Sequence, residues 1–288
     1  MLFVSSFCSH KNKIGEAVRE LAQGGFRSIE LSGGTGYYAG YEDDLLELKA
    51  QYGLSYNVHN YFPPPEADFV FNLGSLDDAI YRKSINHALQ AMALCRRIGA
   101  ENYSFHAAFY MDPDENELGH EINANKIYDR RAVHQRFCEA YEQIKRQAEE
   151  VTIFLENNVC SQANTLALCS EPLGMLVSAQ DYFELKEAID FQLLLDLGHL
   201  RVSMRSLCLD YQANMAPMLA EAQYLHLSYN NGVSDQHLGF SQREELCEIT
   251  GPHRLDHKLI TLEIREGIDK LNRSYAVLSD FVADGECA

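Results

Sequence analysis

Eight short apolar runs alternate with amphipathic stretches along this chain, and most of the runs carry a His, Asp or Glu at or near their last position. SYNVH ends at His59, NYSFH at His106, TIFLE at Glu156 and QLLLD at Asp196. YLHLS carries His226, and LITLE ends at Glu263. Burying a charge without a partner is costly, so a strand has no use for such residues unless something pairs with them. Converging on one face, they would form a metal site. That arrangement predicts a single α/β domain folded as a (β/α)8 TIM barrel with eight parallel strands, whose working residues sit at the C-terminal strand ends.

The strand-like runs are Phe3–Ser6, Ser28–Ser32, Ser55–His59, Asn102–His106, Thr152–Glu156, Gln192–Asp196, Tyr224–Ser228 and Ile260–Ile264. Their continuous apolar character suits a parallel sheet covered on both faces. Helices are expected over Lys13–Gln23, Tyr41–Gln51, Asp77–Ile98, Ile127–Glu150, Ala179–Ile189, Tyr211–Ala222 and Gly267–Val282. Ile85, Ala88, Met92 and Cys95 share one face of the third. A doubly wound open sheet is the alternative architecture. Three stretches after strands read as long loops: Asn60–Leu76 with its Pro63–Pro65 run, Ala107–Asn125 and Tyr229–His257. In a barrel all three would overhang the same mouth.

With Lys+Arg 24 against Asp+Glu 42, the net charge of -18 disfavours nucleic acid as the main partner. No apolar run reaches the roughly 18 residues a membrane span needs, and the N-terminus reads as a first strand rather than a signal peptide. The eight cysteines (Cys8, Cys95, Cys138, Cys160, Cys169, Cys208, Cys247 and Cys287) form no CxxC pair and read as reduced thiols of a cytoplasmic protein. A homodimer is compatible with such a chain, although nothing in the sequence marks an interface.

Two local patterns stand out. In Asp196-Leu-Gly-His199, Gly198 would let the chain turn so that His199 points back to the face of Asp196. In Asp235-Gln-His237, an extended backbone would put both side chains on one side. Carboxylate and imidazole together suit Zn²⁺ or Mn²⁺ better than Ca²⁺.

The set His59, His106, Glu156, Asp196, His199, His226, Asp235, His237 and Glu263 resembles the metal-ligand set of the xylose isomerase-like TIM barrels, and within them the family-2 AP endonucleases of endonuclease IV type. The order His, His, Glu, Asp-x-x-His, His, Asp-x-His, Glu is the same. NVHNYF…FNLGS and HLSYNNGVSDQHLGF resemble that family's segments, and the likeness spans about residues 55–265. It implies one to three neighbouring divalent ions, Zn or Mn. His59, His106 and Glu156 would hold the first. Glu156, Asp196, His226 and Glu263 would hold the second, and His199, Asp235 and His237 the third. The superfamily also contains sugar and sugar-phosphate isomerases and epimerases. There, the counterparts of Glu156, Asp196, His226 and Glu263 hold one ion, and the two Glu exchange the substrate proton.

Against the endonuclease pattern, LRVSM follows the Asp-x-x-His segment where a small Ala/Gly-rich stretch is expected. The loop PPPEADFVF is purely acidic, and no Arg/Lys-plus-aromatic cluster marks a DNA-penetrating loop. The expected activity is therefore isomerisation or epimerisation of a sugar or sugar phosphate, with Glu156 and Glu263 as catalytic residues moving a proton to and from an enediolate held by the metal. A multinuclear-zinc phosphoesterase acting on DNA or another phosphodiester is the second expectation. A metal-bearing barrel that only binds a ligand is the third, and the retention of both Glu counts against it. No sequence pattern identifies a substrate-binding residue. His10, His87, His120, His134, His253 and His257 read as ordinary, with His10 and His257 able to line the mouth. Glu30 is a strand-end carboxylate, either a partner for a barrel Arg or Lys or a site residue. Ser32–Gly36 (SGGTG), Gly-rich after a strand, could cradle a phosphate, but it lacks the spacing and lysine of a P-loop, which favours a flexible loop.

Overall fold

A computed structural model describes residues 1–114, 117, 122, 127–167 and 171–284. His120, Cys169, Cys287 and positions 115, 116, 118–121 and 123–125 of the 107–125 loop lie outside the described residues. Eight strands close into an all-parallel barrel in sequence order, β1 pairing with both β2 and β8. They are β1 (Leu2–Ser5), β2 (Ser28–Leu31), β3 (Ser55–His59), β4 (Asn102–His106), β5 (Thr152–Glu156), β6 (Gln192–Asp196), β7 (Tyr224–Leu227) and β8 (Leu259–Leu262). The strands fall where the apolar runs predict them, with ends shifted by two residues at most.

Helices α1 (Ile14–Gln23), α2 (Tyr41–Tyr52), α3 (Asp78–Ile98), α4 (Arg130–Lys145), α5 (Gln162–Ala167), α6 (Ala179–Ala188), α7 (Leu197–Ser206), α8 (Tyr211–Glu221), α9 (Arg243–Thr250) and α10 (Ile268–Asp284) follow the strands. Caps set several boundaries. The Asp77 side chain accepts from the backbone N–H of Ala79 and Ile80 at the start of α3, and Gly99 ends that helix with φ of 66°. Asp129 caps α4 through the Ala132 N–H, so that helix begins later than its apolar periodicity predicts and leaves Ile127 exposed.

Three helices depart from the sequence expectation. α7 occupies the stretch read as a turn: the Asp196 Oδ1 accepts from the His199 N–H at 2.7 Å and starts a helix immediately after β6. Gly198 is thus a helical residue and not a turn. α9 lies in the 229–257 segment read as a loop, and α5 in a stretch for which the sequence predicts no element. His237 is also not extended, with φ of 47°.

Strand alternation sorts the core. Outward residues such as Val58, Phe105, Leu155, Leu195, Leu225 and Leu262 pack beneath the helices. Inward Phe154, Leu194 and Tyr224 form a separate apolar plug inside the barrel, with Leu259 against it. Above that plug the inward positions turn polar, which is where the site lies. Cys8, Cys95, Cys138, Cys160 and Cys208 are free thiols. Cys247 is disulfide-bonded, contrary to the expectation of reduced thiols throughout.

Candidate metal centre

Period-two geometry stacks residues i and i+2 of one strand on the same face. Tyr224 and His226 on β7, Asn57 and His59 on β3, and Phe154 and Glu156 on β5 therefore form a lower, structural layer and an upper, chemical one. Register brings His106 beside Glu156 and Asp196 beside His226.

Glu156 is the hub. Its Oε2 lies 3.3 Å from both His59 Nε2 and His106 Nε2. Its Oε1 lies 3.1 Å from His226 Nδ1 and 3.7 Å from His199 Nδ1. Glu263, one residue past β8, approaches the same His226 Nδ1 at 3.7 Å and His237 Nδ1 at 3.8 Å. Asp235 joins His237 Nε2 at 2.8 Å and His199 Nε2 at 3.2 Å. All nine predicted residues are thus brought together. Groups spaced closely enough to share a cation are His59–His106–Glu156, Glu156–Asp196–His199, Asp196–His226–Glu263 and Glu30–His59–His226.

The donor atoms fit a metal. Both Glu156 oxygens, Asp196 Oδ2, His226 Nδ1, His106 Nδ1, Asp235 Oδ1 and His237 Nδ1 are buried without a hydrogen bond. A cluster of orphaned buried polar atoms is what an ion would satisfy, and mixed imidazole and carboxylate suits Zn²⁺ or Mn²⁺. Other atoms of these ligands are already held. Ser104 Oγ bonds His59 Nδ1 at 2.9 Å. The Asn157 carbonyl takes His199 Nδ1 at 3.0 Å.

Electrostatics divide the histidines. Burial, reinforced by neighbouring imidazoles, holds His59 and His106 well below the usual value. For His226, burial opposes charging but Glu30, Glu263 and Glu156 outweigh it, so the ring sits well above its usual value. His199 is likewise raised against burial by Asp196 and Asp235, and His237, also against burial, reaches about 9 through Asp235. Burial pushes the Glu156 carboxyl up to about 7 and raises Glu263. Asp235 resists burial and is held low by His199 and His237. Imidazolium protons therefore stand where a cation would otherwise balance the carboxylates.

Glu30 joins this cluster and pairs with no Arg or Lys among the described residues. It contacts His226 Nε2 at 3.1 Å and the Tyr224 hydroxyl. Sequence reasoning missed Asn157, whose side chain clips the backbone of Asp196 at both N and O (2.7 and 3.0 Å). It also missed Asn230, which donates to the Gly198 carbonyl at 3.0 Å. The available signal was an Asn-Asn pair just after an apolar run, at Asn157–Asn158 and Asn230–Asn231. Of the ordinary histidines, His87 is buried against Phe69 and Phe71 with Nε2 on the Asn60 carbonyl, and burial lowers it to about 4. His257 is exposed, beside Asp256.

A groove of about 890 Å³ shares no residue with this cluster; it is lined by Tyr37, Tyr41, Pro63–Pro65, Phe69, Arg82, Lys83 and Arg97, among others. It is the Arg/Lys-plus-aromatic grouping that the linear sequence conceals, because its cations come from α3 and its aromatic residues from separate segments. Arg97 is already paired with Glu42, and Lys83 lies over the Phe69 ring at 4.3 Å.

A closed parallel barrel, carrying at its C-terminal strand ends a buried His/Asp/Glu cluster spaced closely enough to share a cation, defines the class as a TIM barrel. Residues 18–257 match the family described as xylose isomerase-like TIM barrel, and the chain belongs to it. No curated protein sequence matches the chain. Among solved structures it resembles a D-tagatose 3-epimerase-like protein at 17% identity and TM-score 0.69, covering 98% of this chain and 97% of that one. Endonuclease IV from Thermus thermophilus is similar at 14% identity, TM-score 0.61 and 99% coverage of both chains. So is the TTHB071 protein of the same organism, solved after soaking with ZnCl2, at 16% identity, TM-score 0.60 and 97% coverage of both. Among the described residues no helix is long and apolar enough to cross a membrane.

Proposed function

We propose that this protein is a divalent-metal-dependent isomerase or epimerase acting on a sugar or sugar phosphate. The observation that carries the reading is the pair Glu156 and Glu263, both buried, both approaching His226 Nδ1, at 3.1 and 3.7 Å. Glu156, Asp196, His226 and Glu263 would hold one ion, and His59 with His106 would share Glu156. A bound divalent ion supplies Lewis-acid charge to adjacent substrate oxygens.

The protein's own residues do the rest. One Glu removes a proton from the carbon next to the substrate carbonyl, and the other returns it on the same carbon or its neighbour. The apolar plug of Phe154, Leu194 and Tyr224 fills the barrel below the site, which leaves the loop side as the approach for substrate. Burial raises both carboxyls, that of Glu156 to about 7, which suits Glu156 to proton transfer near pH 7; a bound cation would draw them back down.

A second reading, a phosphoesterase acting on a phosphodiester, is favoured by His199, Asp235 and His237, which a one-ion isomerase does not require. The cationic, aromatic groove supports it too. The two are separated by incubating the metal-loaded protein in D2O with a panel of ketoses and ketose phosphates, and in parallel with abasic-site duplex DNA. Deuterium entering carbon beside the carbonyl, lost in Glu263→Gln, supports the isomerase. DNA cleavage without exchange sinks it in favour of the phosphoesterase.

A further inference from the structure

We infer that Glu30 is a positioning residue for the metal centre: it accepts the Nε2 proton of His226, and so fixes that ring with its Nδ1 facing Glu156 and Glu263. The inference rests on the reading in which this cluster holds a divalent ion. Glu30 comes from β2, which supplies none of the nine expected ligands, and reaches His226 on β7 across the barrel interior. It is fully buried. Its two carboxylate oxygens lie 3.1 and 3.3 Å from His226 Nε2.

A buried carboxylate with no Arg or Lys beside it, as here among the described residues, is expensive unless donors hold it. Here the Tyr224 hydroxyl donates to Oε2. That hydroxyl is itself fixed by Thr261 Oγ1 at 2.6 Å and by the Asn57 amide at 3.3 Å. Asn57 is held in turn by Asn102 at 3.0 Å. The carboxylate is therefore anchored from the layer beneath and cannot swing away from the histidine.

An imidazole has two nitrogens, and a neutral ring carries one proton. With that proton committed to Glu30 at Nε2, Nδ1 keeps its lone pair for the cluster 3.1 Å from Glu156 Oε1. A carboxylate behind a ligating histidine sets tautomer and orientation in this way and raises the basicity of the ligand. Direct ligation by Glu30 together with His59 and His226 is the competing geometry, since the three lie close enough. Against it, His59 already uses Nδ1 on Ser104 and turns Nε2 toward Glu156, while Glu30 Oε2 is taken by Tyr224 and Oε1, which has no other hydrogen bond, faces His226 Nε2 at 3.1 Å.

The test uses the full chain loaded with Zn²⁺. Nitrogen NMR of histidine-labelled protein reads the His226 tautomer, and chelator competition reads zinc affinity for wild type, Glu30→Gln and Glu30→Ala. Far-UV circular dichroism of each variant reports whether it folds. Expected are a protonated Nε2 and a metal-bound Nδ1 in wild type. Zinc should bind about 10- to 100-fold more weakly in Glu30→Ala, with most of the loss recovered in Glu30→Gln, whose amide oxygen still accepts. Should Glu30→Ala not fold, the wild-type tautomer and Glu30→Gln still decide. A wild-type ring protonated at Nδ1, or a folded Glu30→Ala within twofold of wild type, overturns the inference. So does loss of a whole zinc equivalent at saturation in Glu30→Gln, which would make Glu30 a direct ligand. Wild-type protein that binds no zinc overturns the metal reading itself, a result distinguishable from an indifferent Glu30 in a protein that binds it.

Discussion

Removing metal should cost this fold a large, measurable share of its stability. The cluster buries Glu30, Glu156, Asp196 and Glu263 within the barrel, and several of their oxygens make no hydrogen bond. An ion that binds the folded chain alone stabilises it by about 4 kcal/mol at a free concentration roughly a thousand times its dissociation constant. Unfolding entropy of about 2.1 cal/mol/K per residue over 288 residues gives about 0.6 kcal/mol/K, so the melting temperature should rise by about 7 °C. The assay is thermal unfolding of chelator-treated protein with Zn²⁺ or Mn²⁺ added back in steps. The gap should widen as pH rises. His199, His226 and His237 have raised folded pKa values, so the stability their charged forms contribute is present below about 6.5 and is lost as pH climbs, toward about 9 for His237. Glu156, raised to about 7, moves the metal-free protein in the same direction. Metal replaces those protons and so gains as they leave. A melting curve that ignores both ions up to millimolar concentration would refute the reasoning, as would a gap that narrows between pH 6 and 8.5.

Other expectations follow from single contacts. In Gly198→Ala, helix propensity favours Ala by about 1 kcal/mol. The added Cβ, however, would stand 3.0 Å from Ser228 Oγ and 3.1 Å from both Asn230 Nδ2 and Asp196 Oδ1. Asn230 and Asp196 are pinned by their own hydrogen bonds, and overpacking costs about 1–3 kcal/mol, so the variant should melt a few degrees lower and bind metal more weakly. A higher melting temperature with unchanged metal affinity would count against the close approach. In Asp235→Ala, metal per chain should fall by one equivalent while the Glu156, Asp196, His226 and Glu263 group keeps its ion, as read by elemental analysis. An unchanged count would remove His199, Asp235 and His237 from the ligand set.

Much of this was readable in the chain by itself. The strands are legible because each is a compact apolar run, and their ligand-type residues are legible because His, Asp and Glu are anomalous at such positions. His59, His106, Glu156, Asp196, His226 and Glu263 could be named on that ground, and order and spacing drew in His199, Asp235 and His237. What the tertiary structure alone decided is who touches whom across the barrel. Glu30 was ambiguous because a strand-end carboxylate looks the same whether it meets an arginine or a histidine, and its partner lies 196 residues away. α7 escaped notice because a glycine just after a strand-ending Asp reads locally as a turn, whereas the Asp196 side chain caps the backbone there and starts a helix. The basic groove was invisible for the same reason: α3 and the segments around Tyr37 and Pro63 are separate in the chain and adjacent only once the barrel closes. Periodicity and residue type are local properties and survive in the sequence; pairing between distant strands is set by closure and register, and exists only in three dimensions.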